Sequence, residues 1–139
     1  MHDILKAKQN GTEILELIGG ETTIRKDFFT IMQFIKSCNF RHVYLVTNGN
    51  RLANYDFAKR LFEMKVLDSI VFSLHGSTPE IHNMLTATPR SFEKLLQGIK
   101  NWQDLGFDRR KIGTNTAIEK GNFKDLQNIG RLIKEINCL

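Results

Sequence analysis

Four times along this chain a short run of apolar and β-branched residues gives way to a turn rich in glycine, asparagine or serine, and then to a helix with one apolar face. The runs are Ile14 to Ile18, His42 to Val46, Ser69 to Leu74 and Lys111 to Ile118. Runs this short and continuously apolar read as strands buried on both faces. Parallel pairing with right-handed helical crossovers is the economical way to join them. The helices follow from period and punctuation. Phe28, Ile31, Met32 and Ile35 recur at i, i+3, i+4 and i+7 in a helix starting near Arg25. Phe57, Ala58, Leu61 and Phe62 mark the second helix. Thr78-Pro79 reads as an N-cap followed by proline at the first helical position of a short helix running to Leu85. Pro89 breaks that helix, and Ser91 is expected to cap the next, whose inner face is Phe92, Leu95, Leu96 and Ile99. Gly106 stops it. The last helix, after Gly121-Asn122, is expected to bury Leu126, Ile129, Ile133 and Ile136. Residues 3–9 read as a leading helix closed by Asn10-Gly11.

This pattern predicts an α/β fold of four consecutive β/α units, with all four strand C-termini at one rim. The chain's 139 residues suit one domain. Chains of this size bury roughly 70% of their unfolded surface. The net charge of +5 is spread over the predicted helices rather than gathered in a stripe, so nucleic acid is not an expected partner. Cys38 and Cys138 belong to no Cys-x-x-Cys or Cys/His pattern, which excludes a disulfide scaffold and points to two free thiols in a reducing compartment. A membrane span needs about 18 consecutive apolar residues, and there is no such run. The start, Met-His-Asp-Ile-Leu-Lys-Ala-Lys, lacks the apolar core of a secretory signal, so a cytoplasmic location is expected.

Open α/β sheets and β/α barrels place their sites at the strand C-termini. The residues there are Gly19, Gly20 and Glu21; Thr47, Asn48 and Gly49; Ser73, His75 and Gly76; and Asn115 and Thr116. They form a polar, glycine-rich crescent with one acid, suited to a zwitterionic or nucleoside-like ligand. It is not a P-loop, because no Gly-Lys-Ser/Thr occurs. It is not a dinucleotide fingerprint, because no GxGxxG follows the first strand. His82, on the short helix, is expected at the surface, and Trp102 is expected in the core.

Taken in order, these motifs resemble those of the radical S-adenosylmethionine enzymes. Gly-Gly-Glu-Thr-Thr-Ile-Arg-Lys-Asp at 19–27 is similar to the family's GGE segment, and Leu-Val-Thr-Asn-Gly at 45–49 to its next strand end. Val-Phe-Ser-Leu-His-Gly at 71–76 is similar to its fourth-strand signature, and Asn115-Thr116-Ala117-Ile118 to its fifth strand. The resemblance implies a partial (β/α)6 TIM-like barrel, with residues 1–139 as a single incomplete domain. It also implies roles in binding S-adenosylmethionine. Glu21 would accept a hydrogen bond from the methionine ammonium, and Gly19 and Gly20 would let the backbone lie against that moiety. Ser73 would meet the ribose, and Asn115 would lie near the methionine carboxylate or the ribose. Thr47 and Asn48 would line the pocket, with His75 at its rim. In the family, a reduced [4Fe–4S] cluster splits S-adenosylmethionine to a 5′-deoxyadenosyl radical that takes hydrogen from a substrate.

The family's cluster is held by a CxxxCxxC loop upstream of GGE, and this chain has no such loop. Two isolated cysteines do not replace three thiolates. The expected function is therefore the S-adenosylmethionine-binding middle of a radical enzyme acting on a peptide or small molecule. A cluster-free module that binds S-adenosylmethionine or a partner protein is the alternative, and an unrelated α/β nucleotide or phosphate binder is a third. The strands at 14–18 and 111–118 would be sheet edges, open to self-association.

Overall fold

The computed structural model describes residues 1–138. Its strands are β1 (Ile14–Leu17), β2 (His42–Thr47), β3 (Ser69–Ser73) and β4 (Ile112–Asn115). They form one sheet in the order β1-β2-β3-β4, with every neighbouring pair parallel. The helices are α1 (His2–Gln9), α2 (Phe28–Cys38), α3 (Tyr55–Glu63), α4 (Pro79–Thr86), α5 (Ser91–Asp104) and α6 (Leu126–Glu135). Strand order equal to chain order, with a helical segment in each crossover, makes the sheet an arc of a β/α barrel. No helix among the described residues is long and apolar enough to cross a membrane.

The core lies on one side of the sheet. Val43, Leu45, Ile70, Phe72 and Ile112 face the helices and are buried, as are Met32, Ile35, Leu61, Leu95, Ile99 and Trp102 on the helices themselves. Burying a side chain of this kind contributes about 1.5–3 kcal/mol. The ion pairs Arg25–Asp27 and Arg41–Glu13 are more than half exposed on both sides, and such pairs are worth about 0–1 kcal/mol. Apolar packing therefore holds the layers together.

The opposite face of the sheet corrects one expectation, that the strands are buried on both sides. Ile14 is 53% exposed, and Tyr44, Val46, Val71 and Ser73 are only partly covered. The arc leaves its concave face open, whereas a closed barrel would bury it. Among the described residues β1 and β4 are the outer strands of the sheet, each paired with one neighbouring strand.

Several boundaries also differ. After β1 the chain makes a 3-10 turn over Thr22–Ile24, and α2 starts only at Phe28, not near Arg25. Ser91 does not cap α5 but is its first residue. The cap position is Arg90, with a left-handed φ of 62°. Asn83 of α4 supplies the missing acceptor, its Oδ1 receiving both the Phe92 N–H and the Ser91 hydroxyl. β4 ends at Asn115 instead of reaching Ile118. Leu126 of α6 is exposed, while Ile129 is buried.

Two contacts hold the loop after β2 in place. A Cβ built on Gly98 of α5 would lie 2.6 Å from the Gly49 carbonyl oxygen, so the helix backbone comes this close only because the residue is glycine. Three residues on, Asn101 donates its side-chain N–H to the carbonyls of Leu52 and Ala53, at 2.9 and 3.0 Å.

Candidate functional site

A cleft of about 220 Å³ opens at the C-terminal rim of the sheet. Gly19, Gly20, Glu21, Thr47, Asn48, Ser73 and His75 line it, together with Val46, which sequence reasoning did not single out. Asn115 is not part of the lining. It stands beside Ser73 in the β3–β4 register, with its side chain exposed. The sheet thus gathers seven of the eight expected residues from the C-terminal ends of three strands and the loops that follow them.

Glu21 ties two of those loops together. Its Oε1 accepts hydrogen bonds from the Thr23 N–H at 3.1 Å, the Thr23 hydroxyl at 2.6 Å and the Thr47 hydroxyl at 2.9 Å. Its Oε2 accepts one, from the Asn48 N–H at 2.7 Å. A carboxylate offers about four lone-pair sites over its two oxygens, so Oε2 keeps room for a further donor. Buried Thr47 passes the connection on, since its hydroxyl also accepts the Gly49 N–H at 3.1 Å. Gly19 has a φ of +133°, and a Cβ at either Gly19 or Gly20 would meet nothing within 4 Å. The protein therefore leaves bare backbone facing open space beside a carboxylate. Among the described residues, the Ser73 hydroxyl has no protein partner.

Another wall is His75, backed by His82 in a pair of stacked imidazoles. The His75 and His82 rings lie 5.9 Å apart at an interplanar angle of 14°. His82, expected at the surface, is 1% exposed. It faces inward because its Nδ1 accepts the His75 N–H at 3.1 Å, and because its ring packs against Phe92. Burial, and then the neighbouring His75, lower its pKa to about 4, against a smaller opposing pull from Glu93. The His75 Nδ1 in turn accepts the Ala117 N–H at 3.2 Å. Burial lowers the pKa of His75 also, with Glu119 partly opposing.

Two residues that sequence reasoning missed fix this wall. Buried Asn122 donates to the carbonyls of His75 at 2.9 Å and Ala117 at 2.8 Å, and its Oδ1 accepts the Glu119 N–H. These bonds, with the Thr116 hydroxyl donating to the Leu74 carbonyl, draw the chain out of β4 after Asn115. Asp125 accepts the Ser77 N–H and hydroxyl, both at 2.7 Å, and the Asn128 side chain at 3.0 Å. The available signal was Gly121-Asn122 and Asp125 just ahead of a helix. It reads equally well as plain turn and cap chemistry.

Asp125 gives a pH prediction. Burial pushes its pKa up, but the hydrogen bonds from Ser77 and Asn128 together outweigh that and leave it below the usual aspartate value. A carboxyl with a depressed folded-state pKa stabilises the fold above its unfolded pKa of about 3.9, and that contribution is lost as pH falls through the folded value. Urea unfolding at pH 7 and below pH 4 should show a loss of stability in acid that Asp125→Asn reduces. Equal acid sensitivity in both proteins would contradict the assignment.

A separate depression of about 260 Å³ lies at the other end of the strands, between Leu61, Phe62, Trp102 and Phe107. The buried Trp102 Nε1 has no acceptor there, and its indole meets the Phe62 ring edge-on at 87°. Apolar packing accounts for this depression, and it holds no convergent polar set like that at the rim.

An arc of parallel β/α units with a polar cleft at the strand C-termini defines a barrel-type protein whose site is built from rim loops. A family model described as "Radical SAM superfamily" matches residues 1–133, and the chain belongs to that family. Among curated proteins, two similar ones carry the name "Probable GTP 3',8-cyclase". The protein from Saccharolobus islandicus strain M.14.25 is 31% identical over 140 residues. The protein from Saccharolobus solfataricus is 32% identical over 140 residues. In both cases the match covers 96% of this chain and 43% of the relative. The chain thus spans less than half the length of these relatives. Family membership removes the unrelated nucleotide binder from consideration.

The family implies S-adenosylmethionine and a [4Fe–4S] cluster. The cleft fits the first, because bare glycine backbone, an acceptor carboxylate and an unused hydroxyl face one space. The residues present do not fit the second. Among the described residues no three His, Cys, Asp or Glu side chains are placed to share a metal ion. Cys38 ends α2, and Cys138 is half-buried, its thiol pKa raised to about 11 by burial with Arg109 opposing.

Proposed function

We propose that this chain carries the S-adenosylmethionine-binding portion of a radical enzyme, and that the ligand occupies the rim cleft. The arrangement around Glu21 carries this reading. Four protein donors hold its carboxylate at the mouth of the cleft, and Oε2 retains an acceptor position for the ligand's ammonium. The Gly19-Gly20 backbone lies beside that position with no side chain in the way. Ser73 would supply a hydroxyl for the ribose, and Asn115, next to it in register but outside the cleft lining, would approach the methionine carboxylate or the ribose from the edge. Thr47 and Asn48 act mainly through Glu21, holding it in place. When bound, S-adenosylmethionine would supply a sulfonium carbon–sulfur bond, whose cleavage to methionine and a 5′-deoxyadenosyl radical takes one electron from a reduced cluster that this chain's described residues do not hold. The cleft residues bind and orient S-adenosylmethionine, and the open concave face of the sheet admits a second molecule beside it.

The names of the relatives make GTP the first substrate to try, ahead of a peptide. The reducing compartment that two free thiols suit is the cytoplasm. The unpaired edges of β1 and β4 are where self-association would occur.

Calorimetric titration with S-adenosylmethionine is expected to show saturable 1:1 binding, weakened about tenfold or more by Ser73→Ala, since one lost hydrogen bond costs about 0.5–1.5 kcal/mol and a buried ligand hydroxyl left unpaired costs more. Absence of heat at millimolar ligand would defeat the proposal.

A further inference from the structure

The two-histidine wall does more than close the cleft. The His75 Nδ1 is occupied as an acceptor by the Ala117 N–H, so in the neutral ring the proton sits on Nε2. The backbone of His75 is clamped from both ends, its N–H by the His82 Nδ1 and its carbonyl by the Asn122 side chain. The ring stacks on a buried imidazole and lines the same cleft as Glu21. The one donor the ring can offer a ligand is therefore a single, uncharged N–H.

We propose that His75 is a specificity-determining residue of the cleft: a tautomer-locked, uncharged hydrogen-bond donor, positioned by His82 and Asn122, that lets the site donate to its ligand without setting a positive charge beside a sulfonium. This rests on the S-adenosylmethionine reading of the cleft. S-adenosylmethionine carries both an ammonium and a sulfonium. A cationic side chain at this position would repel it, and a purely accepting one would leave the ligand's acceptor atoms unmatched. The titratable groups around the pair are few. Glu119 favours protonation of His75 and Glu93 that of His82, while burial opposes both and the His75 imidazole also opposes that of His82. Glu21 lines the same cleft.

The test combines two measurements on the whole chain. Nitrogen-15 spectra of the imidazoles at neutral pH should show His75 with its proton on Nε2 alone, and His82→Phe should turn this into a tautomer mixture. Binding of S-adenosylmethionine and of its uncharged-sulfur analogue S-adenosylhomocysteine should then be compared in two variants. His75→Gln keeps an uncharged donor and should bind both ligands within about threefold of the original chain. His75→Lys should lose about tenfold or more for the sulfonium relative to the thioether, the scale of a like-charge contact at a half-buried site. Lowering the pH through the His75 titration should reproduce the same selective loss in the unaltered chain. A proton on Nδ1, a tautomer mixture in the unaltered chain, or equal losses for both ligands in His75→Lys would overturn the proposal. Should neither ligand bind the unaltered chain, the ligand reading itself fails and the specificity role falls with it, whereas the spectra still decide whether the donor is locked.

Discussion

Glu21→Ala should lower the unfolding free energy by about 2 kcal/mol and reduce S-adenosylmethionine affinity at least tenfold. The stability loss arises because the carboxylate is the common acceptor of four donors from two loops: Thr23 N–H, Thr23 hydroxyl, Thr47 hydroxyl and Asn48 N–H. Removing it leaves the partly covered donors to find water or stay unpaired, at about 1–3 kcal/mol for each one left buried. The site is half-open, so the estimate stays near one such penalty rather than four. Glu21→Gln is expected to behave almost as badly. Its amide nitrogen would face either the Asn48 N–H, now accepted at 2.7 Å, or the two threonine donors on the other oxygen. The hydroxyls can turn to accept, but a backbone N–H cannot, so in either flip state the N–H of Asn48 or of Thr23 faces the amide nitrogen unpaired. Urea unfolding of the three proteins decides the matter. A glutamine variant as stable as the original would mean that the negative acceptor is not what ties the loops after β1 and β2.

Gly76→Ala should be the most damaging single methyl at the site, costing about 2–3 kcal/mol and abolishing the stacked-imidazole wall. The added Cβ would lie 2.6 Å from the backbone nitrogen of His82 and 2.8 Å from the Ile81 Cβ. Both belong to the first turns of α4, so no flexible side-chain end can give way and the helix itself must move. Overpacking that forces backbone shifts costs typically about 1–3 kcal/mol. The shift would pull the His82 Nδ1 off the His75 N–H, the bond that sets the loop. Thermal unfolding and the imidazole spectra would report the two effects separately. An alanine variant with unchanged stability and an unchanged His75 tautomer would show that the loop tolerates the helix at greater distance.

The extent to which the sequence alone revealed this molecule varies by element. The parallel order of the strands was legible because Ile14, His42, Ser69 and Lys111 open apolar runs separated by helix-length segments, and topology rules leave few ways to connect them. The location of the cleft followed from the same reasoning, since rim loops lie at strand C-termini whatever their sequence. Local boundaries were less legible. Ser91 has the side chain of a cap, yet Asn83, eight residues earlier, supplies the acceptor through a tertiary contact that no local window contains. His82 looked like a surface residue because a histidine on a short helix usually is one, and its burial depends on a backbone N–H seven residues away. Asn122 and Asp125 have side chains typical of turns, and only the folded arrangement shows that they reach back 47 and 48 residues to brace His75 and Ser77. The open concave face could not be read either, because strand composition reports what a strand is suited to bury, not what is present to bury it.

The central claim is that S-adenosylmethionine sits in the rim cleft, and the most direct test is a residue-resolved titration. Amide proton–nitrogen spectra recorded while S-adenosylmethionine is added should show saturable shifts concentrated at Gly19, Gly20, Glu21, Thr47, Asn48, Ser73 and His75, with residues around Trp102 and Phe107 unaffected. Shifts confined to that opposite end of the strands, or no shifts at millimolar ligand, would contradict the account.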